Sequence, residues 1–198
     1  MKSGVSEKIK KRLYPGVLSL FANNDFHNVT LRDIANKTGI STGTIYKHFN
    51  SKEDLLFSII DEELCKVAGL VRLHISGLES TREIFRKLFW VTMDFFDNNA
   101  DLAVAAFITV PLKKFMQNPA YQRDEEINII YDVVENAKKS GCVNADLDKR
   151  HFSNLYFMVT HRHIHNWYFY NMKWKLADTI DDFFNFFWNN IKTDHITE

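Results

Sequence analysis

The sequence predicts an all-α protein in which an N-terminal three-helix helix-turn-helix domain precedes a larger helical domain. Three observations lead there. The 198 residues include only seven glycines and three prolines, no segment sustains the alternation of a strand, and apolar residues recur at helical spacing between capping residues. With 45% hydrophobic residues the chain can bury a substantial core. The boundary is predicted at residue 52, giving domains 1–52 and 53–198.

The first helix spans Ser6 to Ala22 and is interrupted by Pro15-Gly16. A proline inside a helix removes a hydrogen bond and clashes with the preceding turn, so a kink is expected near Tyr14. Thr30 suits the N-cap of the next helix, whose apolar face is Leu31, Ile34 and Ala35. Gly39 suits the left-handed residue that closes it, and Ile40 is the expected buried pivot. Ser41 or Thr42 caps a further helix on which Ile45 and Phe49, four residues apart, point inward together.

The remaining helices follow from their caps and stops. One runs from Ser51 to about Val71, and one from Ser80, with Glu83 completing a capping box, to about Asn98. Asp101 to Lys114 is helical until Pro111 bends or ends it, and Ala120 to Ser140 is stopped by Gly141. Asp146 or Asp148 opens a helix through about Tyr170, and Asp178 caps the last, to about Lys192.

The stretch Thr30 to Lys52 carries the clearest chemistry. Its second helix leaves Thr42, Gly43, Thr44, Tyr46, Lys47 and His48 facing outward. Short hydroxyls and a bare glycine near a helix N-terminus permit close approach to base edges or phosphates, and the terminal amides add donors for a phosphate. Tyr46 and His48 can donate to backbone oxygens, and Lys47 can reach a phosphate or a guanine edge. Lys52 lies in the first turn of the helix capped by Ser51, where a cation opposes the helix dipole, so a nearby anion such as a phosphate would account for it.

From about Ile9 to Leu56 these residues resemble the N-terminal domain of a TetR-type transcriptional regulator. The likeness rests on Leu20-Phe21, Thr30, Asp33-Ile34-Ala35, Gly39, Thr44-Ile45-Tyr46, His48-Phe49, Ser51-Lys52-Glu53 and Leu55. The resemblance implies DNA contacts at Thr30, Ser41, Thr42, Gly43, Thr44, Tyr46, Lys47, His48 and Lys52. Two departures stand out: Pro15-Gly16 interrupts a first helix that is unbroken in the family, and Asp25 stands where a glycine precedes an aromatic. Asp tolerates left-handed backbone better than most residues, so the turn is expected to survive.

Charge supports the same division. The chain is neutral overall, yet residues 1–52 hold nine Lys or Arg against three Asp or Glu, leaving sixteen against twenty-two in the remainder. A basic module on an acidic body suits backbone-driven DNA affinity. The longest apolar stretch, Leu102 to Leu112, contains Thr109 and Pro111 and is too short to span a bilayer. The start MKSGVSEKIKK has no apolar run after its cations, so no secretory signal is read. Cys65 and Cys142 form no metal or redox spacing, which suits a reduced cytoplasm. No cofactor is implied, and no nucleophile elbow or phosphate loop points to an enzyme.

The last two helices carry an unusual aromatic load: Phe152, Tyr156, Phe157, Trp167, Tyr168, Phe169 and Tyr170, then Phe183, Phe184, Phe186, Phe187 and Trp188. Phe183, Phe187 and Ile191 share one face and Phe184 and Trp188 another, so the last helix is expected to bury more than one side, most simply in a homodimer. The resemblance adds that such regulators dimerise through their last two large helices and commonly enclose an effector pocket. Phe89, Trp90, Met93, Phe107, Phe115, Met116, Tyr121 and Phe157 are the apolar candidates to line it, with His161 or His165 as a polar handle, for an apolar or amphipathic molecule. His161 and His165, one helical turn apart, also suggest a metal pair, but no third ligand is evident and none is predicted. The function read from the sequence is a dimeric repressor released from a pseudo-palindromic operator by such a ligand. The alternatives are a DNA-binding organiser without an effector and a helical enzyme.

Overall fold

The computed structural model describes residues 5–117 and 124–193. In chain order the α-helices are α1 (Glu7–Asn23), α2 (Leu31–Thr38), α3 (Thr42–His48), α4 (Lys52–Ile75), α5 (Thr81–Asp97), α6 (Ala100–Val104), α7 (Leu112–Met116), α8 (Asp124–Lys139), α9 (Lys149–Phe169) and α10 (Ile180–Ile191). A π-helix, Ala105–Thr109, continues α6, and a 3-10 turn, Leu176–Thr179, leads into α10. The described residues contain no strand, only an isolated antiparallel bridge between Val143 and Lys192. The fold is all-α, as the sparse glycines and helical periodicity predict. No helix among the described residues is long and apolar enough to cross a membrane.

The chain divides into two compact units: Met1–Leu64 with Asn99–Gln122, and Cys65–Asn98 with Arg123–Glu198. In the first, Leu13, Val17 and Phe21 of α1, Ile34 of α2, Ile45 of α3 and Leu55, Leu56 and Ile59 of α4 are buried to 1% exposure or less. Helix α1 runs through Pro15 without interruption. The adjacent glycine has a packing reason, since a Cβ on Gly16 would sit 2.6 Å from Thr38 Cγ2. Asp25 does not take the left-handed conformation expected of it, because the only described non-glycine residues with positive φ are Asn171 and Met172. An ordinary turn closes instead, with the Asn28 amide donating to the Asp25 carbonyl at 2.9 Å. It buries Phe26 with its ring centroid 5.6 Å from Phe21 and 6.3 Å from Phe57. Helix α6 and the π-helix pack on α1. The helix predicted over 101–114 thus ends before Pro111, where Val110 is already extended.

The second unit gathers α5, α8, α9 and α10 around aromatic rings. Phe89 lies 5.0 Å from Tyr156, 5.3 Å from Phe183, 6.4 Å from Phe184 and 5.0 Å from Phe187. Phe85 meets Phe152 at 5.2 Å and Trp188 at 5.8 Å. Asp148 caps α9 by accepting from the Arg150 and His151 amides. Ser80 caps α5 through the Glu83 amide, while the Glu83 carboxylate pairs with Arg82 at 3.3 Å. The expected Asp178 cap is corrected: Asp178 falls inside the 3-10 turn, and α10 begins at Ile180. Asp97, from the end of α5, supplies the carboxylate there, accepting the Leu176 and Ala177 amides at 2.7 and 2.9 Å.

Candidate nucleic-acid interface

Helix α2 is fixed at both ends. Thr30 Oγ1 accepts from the Asp33 amide at 3.2 Å, and the Asp33 carboxylate accepts from the Thr30 amide at 2.9 Å and from its hydroxyl at 2.6 Å. This is a reciprocal capping box with Asp in the place usually taken by Glu or Gln. The hydroxyl bond, then the amide bond, holds the Asp33 carboxyl below the usual carboxylate range. At the other end Gly39 sits at φ 66°, with its amide on the Ala35 carbonyl at 2.9 Å. Arg12 of α1 covers that end, its Nη2 donating at 3.3 Å to both the Thr38 and Gly39 carbonyls, where a cation complements the helix dipole.

Thr38 locks the turn. Its hydroxyl donates to the Ile34 carbonyl at 2.7 Å and accepts from the Ile40 amide at 3.2 Å, while Ile40 is buried as the pivot. Ser41 then caps α3 through the Thr44 amide at 3.2 Å, and its hydroxyl also meets the Thr44 hydroxyl at 2.9 Å. Ile45 and Phe49 turn inward.

The face this leaves outward matches the sequence reading. Gly43 and Lys47 are exposed, Tyr46 is 56% exposed, and Thr42, Thr44 and His48 are half-buried. Thr30 and Ser41 are exposed at the two caps. A Cβ on Gly43 would meet nothing nearer than Ser41 Oγ at 4.0 Å, so the fold itself does not require glycine there.

Lys52 departs from the expectation attached to it. Its Nζ donates to the carbonyls of Phe26 at 2.8 Å, His27 at 3.2 Å and Val29 at 2.7 Å, and lies 5.1 Å from the centroid of the Phe26 ring. The negative partner expected of a phosphate is supplied by the loop between α1 and α2. Ser51 does cap α4, accepting from the Asp54 amide at 3.0 Å.

A brace between α1 and α4 escaped the sequence reading. Glu62 accepts from Lys10 Nζ at 2.6 Å and from the Tyr14 hydroxyl at 2.7 Å. Burial first, then Glu62, pushes the Tyr14 phenol far above its ordinary range, and the same carboxylate raises Lys10. The partners lie 48 and 52 positions apart, so no local pattern exposes them.

The ligand candidates are distributed between the units. Phe89 and Met93 are fully buried in the core of the second, and Phe157 and His161 are half-buried there with rings 5.9 Å apart. Trp90 is half-buried beneath Lys87, whose Nζ lies 4.0 Å from its centroid, while His165 is exposed. Phe107 on the π-helix and Met116 on α7 belong to the first unit, Met116 being 58% exposed. The Phe115 side chain and Tyr121 lie outside the described residues. The sequence reading also missed a buried polar link in the aromatic core: Thr92 Oγ1 bonds the Tyr156 hydroxyl and the Leu88 carbonyl. Among the described residues no three His, Cys, Asp or Glu side chains come together as a metal site.

Of the predicted dimer residues, Phe184, Trp188 and Ile191 are buried in this chain's own core, and Phe183 and Phe187 are half-buried against Phe89. On these two helices the exposed large apolar side chains are instead Leu155, Met158, Tyr168 and Phe169 of α9 and Phe186 of α10, the last at 77%.

Comparison with known proteins agrees with this geometry. Residues 18–59 match the family model for bacterial regulatory proteins of the tetR family. The HTH-type transcriptional repressor KstR2 of Rhodococcus jostii is 30% identical over 136 residues, an alignment spanning 66% of this chain and 65% of that protein. The fold is shared with the fatty acid degradation regulator FadR of Bacillus halodurans, at TM-score 0.83 and 19% identity over 92% of this chain and 95% of that one. It is also shared with FadR of Bacillus subtilis, solved in complex with stearoyl-CoA, at TM-score 0.79 and 19% identity over 88% and 95%. The family match over residues 18–59, the curated relative and the shared fold together support a TetR-type transcriptional regulator.

Proposed function

We propose that this protein is a cytoplasmic homodimeric repressor whose 1–52 module reads a pseudo-palindromic operator and whose remainder, 53–198, binds a small apolar or amphipathic effector that releases it. The observation that carries the DNA reading is α3, capped by Ser41 and presenting Gly43, Tyr46 and Lys47 on an exposed face while Ile45 and Phe49 hold it to the core. Thr30, Thr42, Thr44 and His48 complete the proposed contact surface. Two such helices related by a two-fold axis meet successive major grooves about 34 Å apart. The dimer face is proposed along α9, where the exposed residues Leu155, Met158, Arg162, His165 and Phe169 follow one another at alternating spacings of three and four, and Phe186 of α10, also exposed, is proposed to join it.

The effector reading draws on the aromatic second unit and on the stearoyl-CoA held by the Bacillus subtilis neighbour. An effector acts only through a difference in affinity between two conformers, and a change in α4 that alters the half-site spacing provides one. The test is selection of DNA from a random pool, footprinting of the selected site, and titration of the complex with CoA thioesters of graded chain length. Two protected half-sites and release by a subset of the thioesters are expected. A protected site that no thioester of any length weakens would favour the effector-free organiser.

A further inference from the structure

We propose that Lys52 is a positioning residue that bolts the start of α4 to the loop delivering Thr30 to α2, and that it does not serve as a phosphate anchor. The inference rests on the DNA-binding reading of the α2–α3 face. An ammonium has three donors, and Lys52 directs them at three carbonyls within four residues of chain, at 2.8, 3.2 and 2.7 Å. The Phe26 ring, 3% exposed, lies 5.1 Å from the same nitrogen and is met by Lys114 Nζ at 5.6 Å. A phosphate recruiting Lys52 would have to take a donor from one of these carbonyls.

The Val29 carbonyl is the one that matters most for α2. Val29 is itself 3% exposed and immediately precedes Thr30, whose backbone and hydroxyl form the capping box with Asp33. Releasing Lys52 therefore frees the residue from which α2 begins. The cation at the N-terminal turn of α4 is thereby accounted for without DNA: the carbonyl dipoles of the 26–29 loop offset the unfavourable helix dipole. The bolt also joins α4 to the reading module at a point distinct from the Glu62 brace on α1, so a change in α4 is passed to α2 directly.

Two substitutions separate a bolt from an anchor. DNA selected by the wild-type protein is titrated with Lys52→Met and Lys52→Arg across a salt series, and amide exchange at Asp33 is followed in the free proteins. Lys52→Met is expected to weaken binding roughly tenfold on every sequence with the salt slope unchanged, and to speed Asp33 exchange. Lys52→Arg is also expected to bind less well than wild type, because a planar guanidinium does not fit three converging carbonyls although it suits a phosphate. A fall in slope of about 0.9 in Lys52→Met, wild-type binding by Lys52→Arg, or unchanged Asp33 exchange would each overturn the proposal. If the wild type selects no DNA, the exchange measurement still decides the bolt, while the DNA reading fails by itself.

Discussion

Gly16→Ala sets two opposing effects of similar size against each other at the junction of α1 and α2. In the interior of a helix, alanine is favoured over glycine by about 1 kcal/mol. Here the added methyl would lie 2.6 Å from Thr38 Cγ2, where ordinary contacts begin near 3.4 Å, so one of the two must move by roughly 0.8 Å, the order of shift at which overpacking becomes costly. Thr38 cannot turn its methyl away freely, since its hydroxyl is held by the Ile34 carbonyl and the Ile40 amide. Rotation would forfeit bonds worth about 1 kcal/mol each, and keeping the rotamer forces an overpacking strain of about 1–3 kcal/mol.

Strain should win. Gly16→Ala is expected to lose about 1 kcal/mol net, read as a lower urea midpoint at unchanged m-value. DNA affinity should fall too, because the displaced segment carries the turn between α2 and α3. Thr38→Ser removes the offending methyl and keeps the hydroxyl, so the double variant should recover most of the loss. A Gly16→Ala protein as stable as wild type, or a double variant no better than the single, would refute the packing argument.

Three further outcomes are expected. Gly43→Ala, with no atom within 4.0 Å to clash, should raise stability by about 0.5–1 kcal/mol yet weaken operator binding at least tenfold; undiminished binding would remove the close approach proposed for α3. Phe186→Glu should yield a folded monomer in light scattering, whereas Phe184→Ala should lose about 3–5 kcal/mol of stability; a dimer surviving Phe186→Glu would place the interface elsewhere. For Tyr14, whose phenol is raised from an ordinary value of 10.0, the stabilisation is complete below pH 10 and is lost as pH rises through the raised value. Tyr14→Phe should therefore flatten the alkaline decline in stability, and an unaltered profile above pH 10 would show that the phenol is not its source.

The sequence disclosed what depends on near neighbours. Thr30, Gly39, Ser41 and Ser51 are read from their own residue types, because a cap needs only a hydroxyl or a missing Cβ within a few positions. Helix α9 and the burial of Ile45 and Phe49 follow from periodicity. What stayed hidden is set by distant partners. Glu62 is an ordinary acidic residue on α4 until α1 brings Lys10 and Tyr14 against it. Asp97 gives no sign of capping a turn 79 positions away, and nothing local shows that Gly16 faces Thr38. Lys52 was legible as a misplaced cation, but the carbonyls that balance it lie 23 to 26 residues upstream.

The aromatic load of α10 carries a related lesson about inferring partners. A helix that buries two faces needs two neighbours, and in isolation that argues for a second copy. Here both are internal: Phe184 and Trp188 are enclosed in the chain's own core, and Phe183 and Phe187 close on Phe89. The case for a dimer therefore rests on the spaced stripe of α9 and on Phe186, not on the count of rings. It also constrains the effector. Rings already in contact around Phe89 leave an incoming molecule to separate them, so any ligand using this core must be bound more tightly by the opened arrangement than by the closed one. Each tenfold preference shifts that equilibrium by about 1.4 kcal/mol. A ligand that merely fits, with equal affinity for both, would occupy the protein and leave the operator bound.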